Sequence, residues 1–144
     1  MFVEAGYSAT TWSVGDLSNW DTSSVTDMIH MFTDAGRNAS SFTLNLSNWD
    51  TSSVTDMMHM FTYAGYNASS FTLNLSNWDT SSVTDMYWMF HGAGYNATTW
   101  SVTIPKTNNG TTTGPIANTT SRLYGDTTSV YATPDSGRSF TLAN

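Results

Sequence analysis

The text LSNWDTSSVTDM stands three times in this 144-residue chain, beginning at Leu17, Leu46 and Leu75 with a constant step of 29 residues. A fixed period of that length limits the fold severely. One such unit is too small to enclose its own apolar residues, so units must stack and share a core. Equivalent residues then form columns along the stack, and function is to be sought in columns.

Two periodicities lie inside the unit. Phe42-Thr43-Leu44-Asn45-Leu46 and Phe71-Thr72-Leu73-Asn74-Leu75 alternate apolar and polar with period two, which predicts short half-buried strands. Val54, Met57, Met60, Phe61 and Ala64, and likewise Val83, Met86, Met89, Phe90 and Ala93, fall at helical spacing. Ser53, Thr55 or Asp56 can cap the start of that helix and Gly65 can end it in a left-handed conformation. The expected fold is an α/β solenoid of 29-residue strand-turn-helix units, with a parallel sheet on one face and short helices on the other.

Met1-Phe2 align with Met31-Phe32, so the first partial unit starts inside a helix and Trp12-Ser13-Val14 takes its strand position, with Gly15-Asp16 adding one residue as a bulge. The repeat breaks at Pro105, dividing the chain into a repeat region, 1–104, and a C-terminal cap, 105–144. In the cap, Thr107 to Thr120 reads as loop, Leu123 and Tyr124 as core, and Ser139-Phe140-Thr141-Leu142 as a final strand that copies Ser41 to Leu44. The N-terminal side has no cap, and a neighbouring subunit, another domain or further sequence is expected to cover it.

The text L-S-N-W-D-T-S-x-V-T-D-M-x-x-M-F, carried by Leu46 to Phe61 and Leu75 to Phe90 with a partial copy from Leu17 to Phe32, resembles the BspA-like bacterial surface repeats, which are related to leucine-rich repeats. The resemblance implies a leucine-rich-repeat-like rung, a location on the cell wall or surface, a role in adhesion to host or matrix, and no enzymatic activity. It carries over no site residues. The Ala-Gly-Tyr-Asn-Ala-Ser-Ser link here is longer than that family's usual connection.

Composition narrows the function classes. The net charge is −7 with four basic residues, so the basic stripe that a nucleic-acid backbone or an anionic membrane requires is missing. Charged residues make up only 10% of the chain, leaving Ser, Thr and Asn to form the surface, a balance common in secreted and cell-surface repeats. Without cysteine there are no disulfides, thiolate metal sites or thiol nucleophiles. No apolar run reaches the ~20 residues of a membrane span. The first residues lack a signal-peptide pattern, so an export address must lie on a longer chain, have been removed, or be supplied by an assembly.

Comparison of the units separates two sets of columns. Met28/Met57/Met86, Met31/Met60/Met89, Phe32/Phe61/Phe90 and Ala35/Ala64/Ala93 do not vary and are expected to face the core. Ile29/Met58/Tyr87, His30/His59/Trp88, Thr33/Thr62/His91, Asp34/Tyr63/Gly92 and Arg37/Tyr66/Tyr95 vary and are expected to face outward. Drift at unconstrained solvent positions is one reading of this variation; the sharper one rests on what fills the band, Ile29, Met58, Tyr63, Tyr66, Tyr87, Trp88 and Tyr95. Apolar and aromatic bands of that kind mark interfaces, and these seven residues are the candidate partner-binding surface.

Other columns have simpler explanations. Ser13/Thr43/Thr72/Ser101 and Asn45/Asn74/Thr103 are the solvent side of a sheet, though a flat polar lattice such as glycan or ice could match them. Trp20/Trp49/Trp78 reads as a core seal, with a sugar platform as its alternative. The pairs Asp21/Asp27, Asp50/Asp56 and Asp79/Asp85 raise calcium, but turns and caps account for both members. His30, His59 and His91 lack zinc-triad spacing. Asn38, Asn67 and Asn96 begin Asn-x-Ser/Thr strings, which are turn residues in a bacterial protein and glycan acceptors in a eukaryotic secretory one.

No nucleophile motif, cofactor motif or metal set is present, so no enzyme activity, catalytic residue, metal or cofactor is expected. The leading expectation is an adhesion or protein-interaction module of a bacterial surface protein, extracellular or on the cell surface, whose partner is a protein or a host or matrix surface. The alternatives are a structural or decorating component of a larger assembly, such as a phage particle, surface layer or fibre, and a carbohydrate-binding module.

Overall fold

A computed structural model describes residues 1–105, 107–108, 111–112, 123–124, 131–132, 138 and 140–143. The three repeated strands are β1 (Ser41–Asn45), β2 (Ser70–Asn74) and β3 (Thr99–Ile104). They pair in parallel at the repeat step, so that Phe42 lies beside Phe71 and Phe71 beside Trp100. The short pairs β4 (Thr107–Asn108) with β5 (Thr111–Thr112), and β6 (Leu123–Tyr124) with β7 (Tyr131–Ala132), are antiparallel. Strand β8 (Thr141–Leu142) then returns to extend the main sheet to the order β1-β2-β3-β8.

The expected helices are absent: among the described residues there is no helix at all. The strand-turn-helix unit is therefore corrected to a strand followed by consecutive tight turns. In the run from Met28 to Ala35, the N–H groups of Met28, His30, Phe32 and Asp34 donate to the carbonyls of Asp56, Met58, Met60 and Thr62 in the next rung. The alternate N–H groups of Met31, Thr33 and Ala35 close turns on Met28, His30 and Phe32 of their own rung. Met57, His59, Phe61 and Tyr63 repeat the pattern onto Asp85, Tyr87, Met89 and His91. A helix of this length is marginal on its own. A stacked copy satisfies half of these donors from outside, which an α-helix cannot use.

The turns have a backbone cost. His30, Asp34, His59, Tyr63 and Trp88 all sit at φ between 54° and 58°, each at the third position of a turn, where a type II turn requires positive φ. Gly65 does adopt the expected left-handed conformation, at φ 53°, but at the third position of the turn closed by Tyr66 on Tyr63 and not at the end of a helix.

The first rung also departs from expectation. Trp12-Ser13-Val14 forms no strand; its unit is tied on through Glu4 to Thr33, Gly36 to Ala5, Asn38 to Tyr7 and Ser40 to Thr10 backbone bonds. Gly15, at φ 73°, is the extra residue that breaks the register. In the expected loop of 107–120, Thr107–Asn108 and Thr111–Thr112 instead pair across Asn109-Gly110, a text that strongly favours hairpins. The remaining loop residues, and the side chains of Leu123 and Tyr124 expected in the cap core, lie outside the described residues.

Two aromatic columns run through the core. Phe2, Phe32, Phe61 and Phe90 stack with ring centroids 5.1, 5.5 and 5.6 Å apart. Trp12, Phe42, Phe71 and Trp100 stack at 4.4, 4.9 and 6.0 Å, and Phe140 closes both columns. Met57, Met60 and Leu73 fill the space between, fully buried. At the last rung, Arg138 donates through Nη2 to the carbonyls of Gly94, Tyr95 and Ala97 at 3.1, 3.0 and 2.9 Å. It thereby satisfies the Tyr95 carbonyl, whose counterparts Arg37 and Tyr66 accept N–H groups from the next rung.

Candidate binding surface

The turn runs bury side chains three and four residues apart and turn the ones between them outward. Met57, Phe61 and Ala64 point into the core, while Met58, His59 and Tyr63 leave it. Ile29 and Met58 are half-buried, and Ile29 lines a cavity of about 360 Å³ at the first rung with Met1, Trp20 and Met31. Tyr63 and Tyr66 are half-buried; Tyr87, Trp88 and Tyr95 are 55%, 49% and 56% exposed.

The structure joins these aromatic residues into one ring network. Tyr66 stacks on Tyr95 at 4.9 Å with planes 3° apart. Tyr63 meets Tyr66 edge-on at 5.8 Å and His91 at 5.3 Å. His91 stacks on Trp88 at 4.4 Å, Trp88 on Tyr87 at 5.1 Å, and the edge of His59 meets both Tyr87 and Trp88. His30 lies on His59 at 4.8 Å. The Arg37 guanidinium, paired with Asp34, sits 4.7 and 4.6 Å from the Tyr63 and Tyr66 ring centres and 5.7 Å from that of Tyr7.

Residues chosen for apolar character alone therefore form part of a larger set. His30, His59, His91, Arg37, Tyr7 and Gly92 belong to it as well. Most lie in the varying columns already drawn from the sequence. Tyr7 was concealed by the 30-residue step that Gly15 introduces between the first two units; with that step it falls in the Arg37/Tyr66/Tyr95 column. Ile29 and Met58 contribute no ring contact.

Burial, and then the neighbouring His30 ring, with His91 adding to them against the attraction of Asp85, hold the His59 imidazole below its ordinary value of 6.5. A group whose folded pKa is depressed contributes stability above its unfolded pKa, and that contribution is lost as pH falls through the folded value. Unfolding free energy from urea titrations should therefore decrease as pH falls below about 6.5, the unfolded histidine range. His59→Gln should flatten that part of the profile; an unchanged slope in the variant would place the effect elsewhere.

The remaining columns are structural. Trp49 and Trp78 are 2% exposed, and their Nε1 groups donate to the Leu17 and Leu46 carbonyls at 3.0 and 2.9 Å, so they seal the core as expected. Trp20 does not: it stacks on Phe2 and Trp49 but is 40% exposed, because no preceding rung covers it among the described residues. Asp21 and Asp50 accept from the amides and hydroxyls of Ser23 and Ser52, and these bonds lower both carboxyls from their ordinary value. Asp27, Asp56 and Asp85 accept from the Ile29, Met58 and Tyr87 amides. These are Asx turns, and among the described residues no group of three or more His, Asp or Glu is placed to hold a metal ion. Asn38, Asn67 and Asn96 form an amide ladder at 2.7 and 2.8 Å.

Residues 1–112 match the family described as Mycoplasma protein of unknown function, DUF285. The chain belongs to that family. The match takes in all the stacked units, so the ring network of this DUF285 member lies wholly inside the family region. No curated protein and no solved structure matches the chain. No helix among the described residues is long and apolar enough to cross a membrane.

Proposed function

We propose that this DUF285 chain is a non-enzymatic adhesion module of a bacterial surface protein, and that the outer side of the turn runs is its contact surface. The BspA-like text of the repeat supports the surface location. The ring network carries the choice of face: Tyr87, Trp88 and Tyr95 are each about half exposed and stacked into place, whereas the other regular face, the outside of the sheet, shows only Ser, Thr and Asn. Prealigned aromatic rings lose little side-chain entropy on contact, which is why Tyr and Trp dominate binding hot spots.

Backbone strain supports the same face. A left-handed conformation costs a residue with a Cβ about 1–2 kcal/mol, yet His59, Tyr63 and Trp88 all hold it, and in the Tyr63 column Gly92 shows that glycine fits. Strained residues retained on a surface point to use of their side chains.

The test is adherence of chain-coated beads to host-cell monolayers and matrix-coated plates. A Tyr63→Asn, Tyr87→Ser, Trp88→Asn variant, with Asn at the two left-handed positions because it tolerates them, should reduce adherence at least tenfold with unchanged circular dichroism. Equal adherence of both proteins, or none by either, overturns the proposal.

A further inference from the structure

Tyr63, Tyr66, His91, Gly92 and Tyr95 line a notch of about 210 Å³ in the ring network. It owes its form to one substitution between rungs. The column Glu4, Asp34, Tyr63 and Gly92 carries a side chain in three rungs and none in the last. The Tyr63 ring leans into the space so released: a Cβ on Gly92 would lie 2.3 Å from Tyr63 Cδ1. Of these four rungs only the last has glycine in the column.

Resting on the adhesion reading, we infer that this notch binds a single neutral sugar ring, so that the partner surface is recognised through an uncharged glycan. Size supports it: the notch is smaller than the ~300–1,000 Å³ of pockets for drug-sized ligands, and takes one six-membered ring, not a peptide segment. Chemistry supports it too. Each lining side chain joins a flat apolar ring to a polar tip, in three phenols and one imidazole. A pyranose has the matching form, with C–H groups on its face and hydroxyls at its rim. No aliphatic side chain lines the notch, as an apolar protein anchor would favour.

Charge selects the neutral class. The nearby Arg37 is already paired with Asp34, and its guanidinium is engaged by Tyr63 and Tyr66. Arg37 is thus already engaged, Arg138 beside Tyr95 is held by the Gly94, Tyr95 and Ala97 carbonyls, and the chain's net −7 opposes an acidic sugar.

The test uses methyl glycosides of neutral hexoses and N-acetylhexosamines, with methyl sialoside as the acidic comparator, followed by saturation-transfer NMR and amide-shift titration. At least one neutral glycoside should bind one site. Its affinity should fall at least tenfold in Tyr95→Ala and in Gly92→Ala, and persist in Thr72→Ala on the outside of the sheet. Tyr95→Ala, at an exposed position, keeps the test decisive if Gly92→Ala misfolds. Absence of any neutral binder, preference for the sialoside, or undiminished binding in Tyr95→Ala overturns the inference. Bead adherence that the ring variants abolish, without glycoside binding, overturns the sugar and leaves the adhesion surface standing; adherence that they do not alter overturns that surface itself.

Discussion

Phe61→Ala should lower the unfolding free energy by about 3–5 kcal/mol, the range for a buried phenylalanine truncated to alanine. Phe61 is fully buried in the middle of the phenylalanine column, between Phe32 at 5.5 Å and Phe90 at 5.6 Å, with Trp78 tilted against it at 6.5 Å. No residue can relax into the gap from outside, because each neighbouring ring is fixed by its own rung. Domains of this size are stable by only ~5–15 kcal/mol, so the loss is a large fraction of the whole. The turn runs draw half their backbone donors' partners from the next rung, so a rung that loses its neighbour loses its own backbone order. Urea unfolding should thus remain one transition, with a lower midpoint and the same slope. A loss below ~1 kcal/mol, or two separate transitions, would contradict the shared core.

Gly65→Ala should cost about 2–5 kcal/mol, through two additive causes. Its φ of 53° is left-handed, which costs a Cβ-bearing residue about 1–2 kcal/mol. The new Cβ would also lie 2.6 Å from Phe42 Cβ and 2.9 Å from Phe42 Cγ, inside the packed core, and overpacking adds about 1–3 kcal/mol. Gly92→Ala is the comparison. It meets the Tyr63 ring on the outer face, where the ring can swing away, so only the backbone term should remain. Thermal unfolding of the two variants should rank Gly65→Ala clearly below Gly92→Ala; equal melting temperatures would show that Phe42 yields as easily as Tyr63.

The strain at His59, Tyr63 and Trp88 bears on stability as well as on binding. Asparagine or glycine at those columns would relieve the backbone, and the sequence does not use them in the outward positions of the second unit. Stability gained by such replacements should come at the expense of adherence, which is the usual conflict between stable and functional sites.

The ring network was legible in part. The varying columns were visible from alignment of the units, and five of the seven residues taken from them, Tyr63, Tyr66, Tyr87, Trp88 and Tyr95, are members. Ile29 and Met58 share a column with Tyr87 but make no ring contact, because hydrophobicity alone does not encode which side chains meet. The histidines, Arg37 and Gly92 have neither a metal-site spacing nor an apolar character to mark them in the sequence. Their part is set by contacts between rungs: Arg37 against Tyr63 and Tyr66, His91 against Trp88, Gly92 beneath Tyr63.

What the residues alone determined is the register and the sidedness of each rung. A 29-residue period with period-two alternation leaves Phe42 beside Phe71 and Thr43 in solvent, since a one-residue slip would bury hydroxyls and expose phenyl rings and a longer one would break the column of identical residues. What only the tertiary structure decided is the path of the chain from Met57 to Gly65. Apolar residues three and four apart are produced equally by a helix and by successive turns, since both bring the same side chains inward. The two differ in where each N–H finds its acceptor, and for Met57, His59, Phe61 and Tyr63 that acceptor belongs to the next rung. A local pattern cannot contain that choice, because the carbonyl that settles it is supplied by stacking.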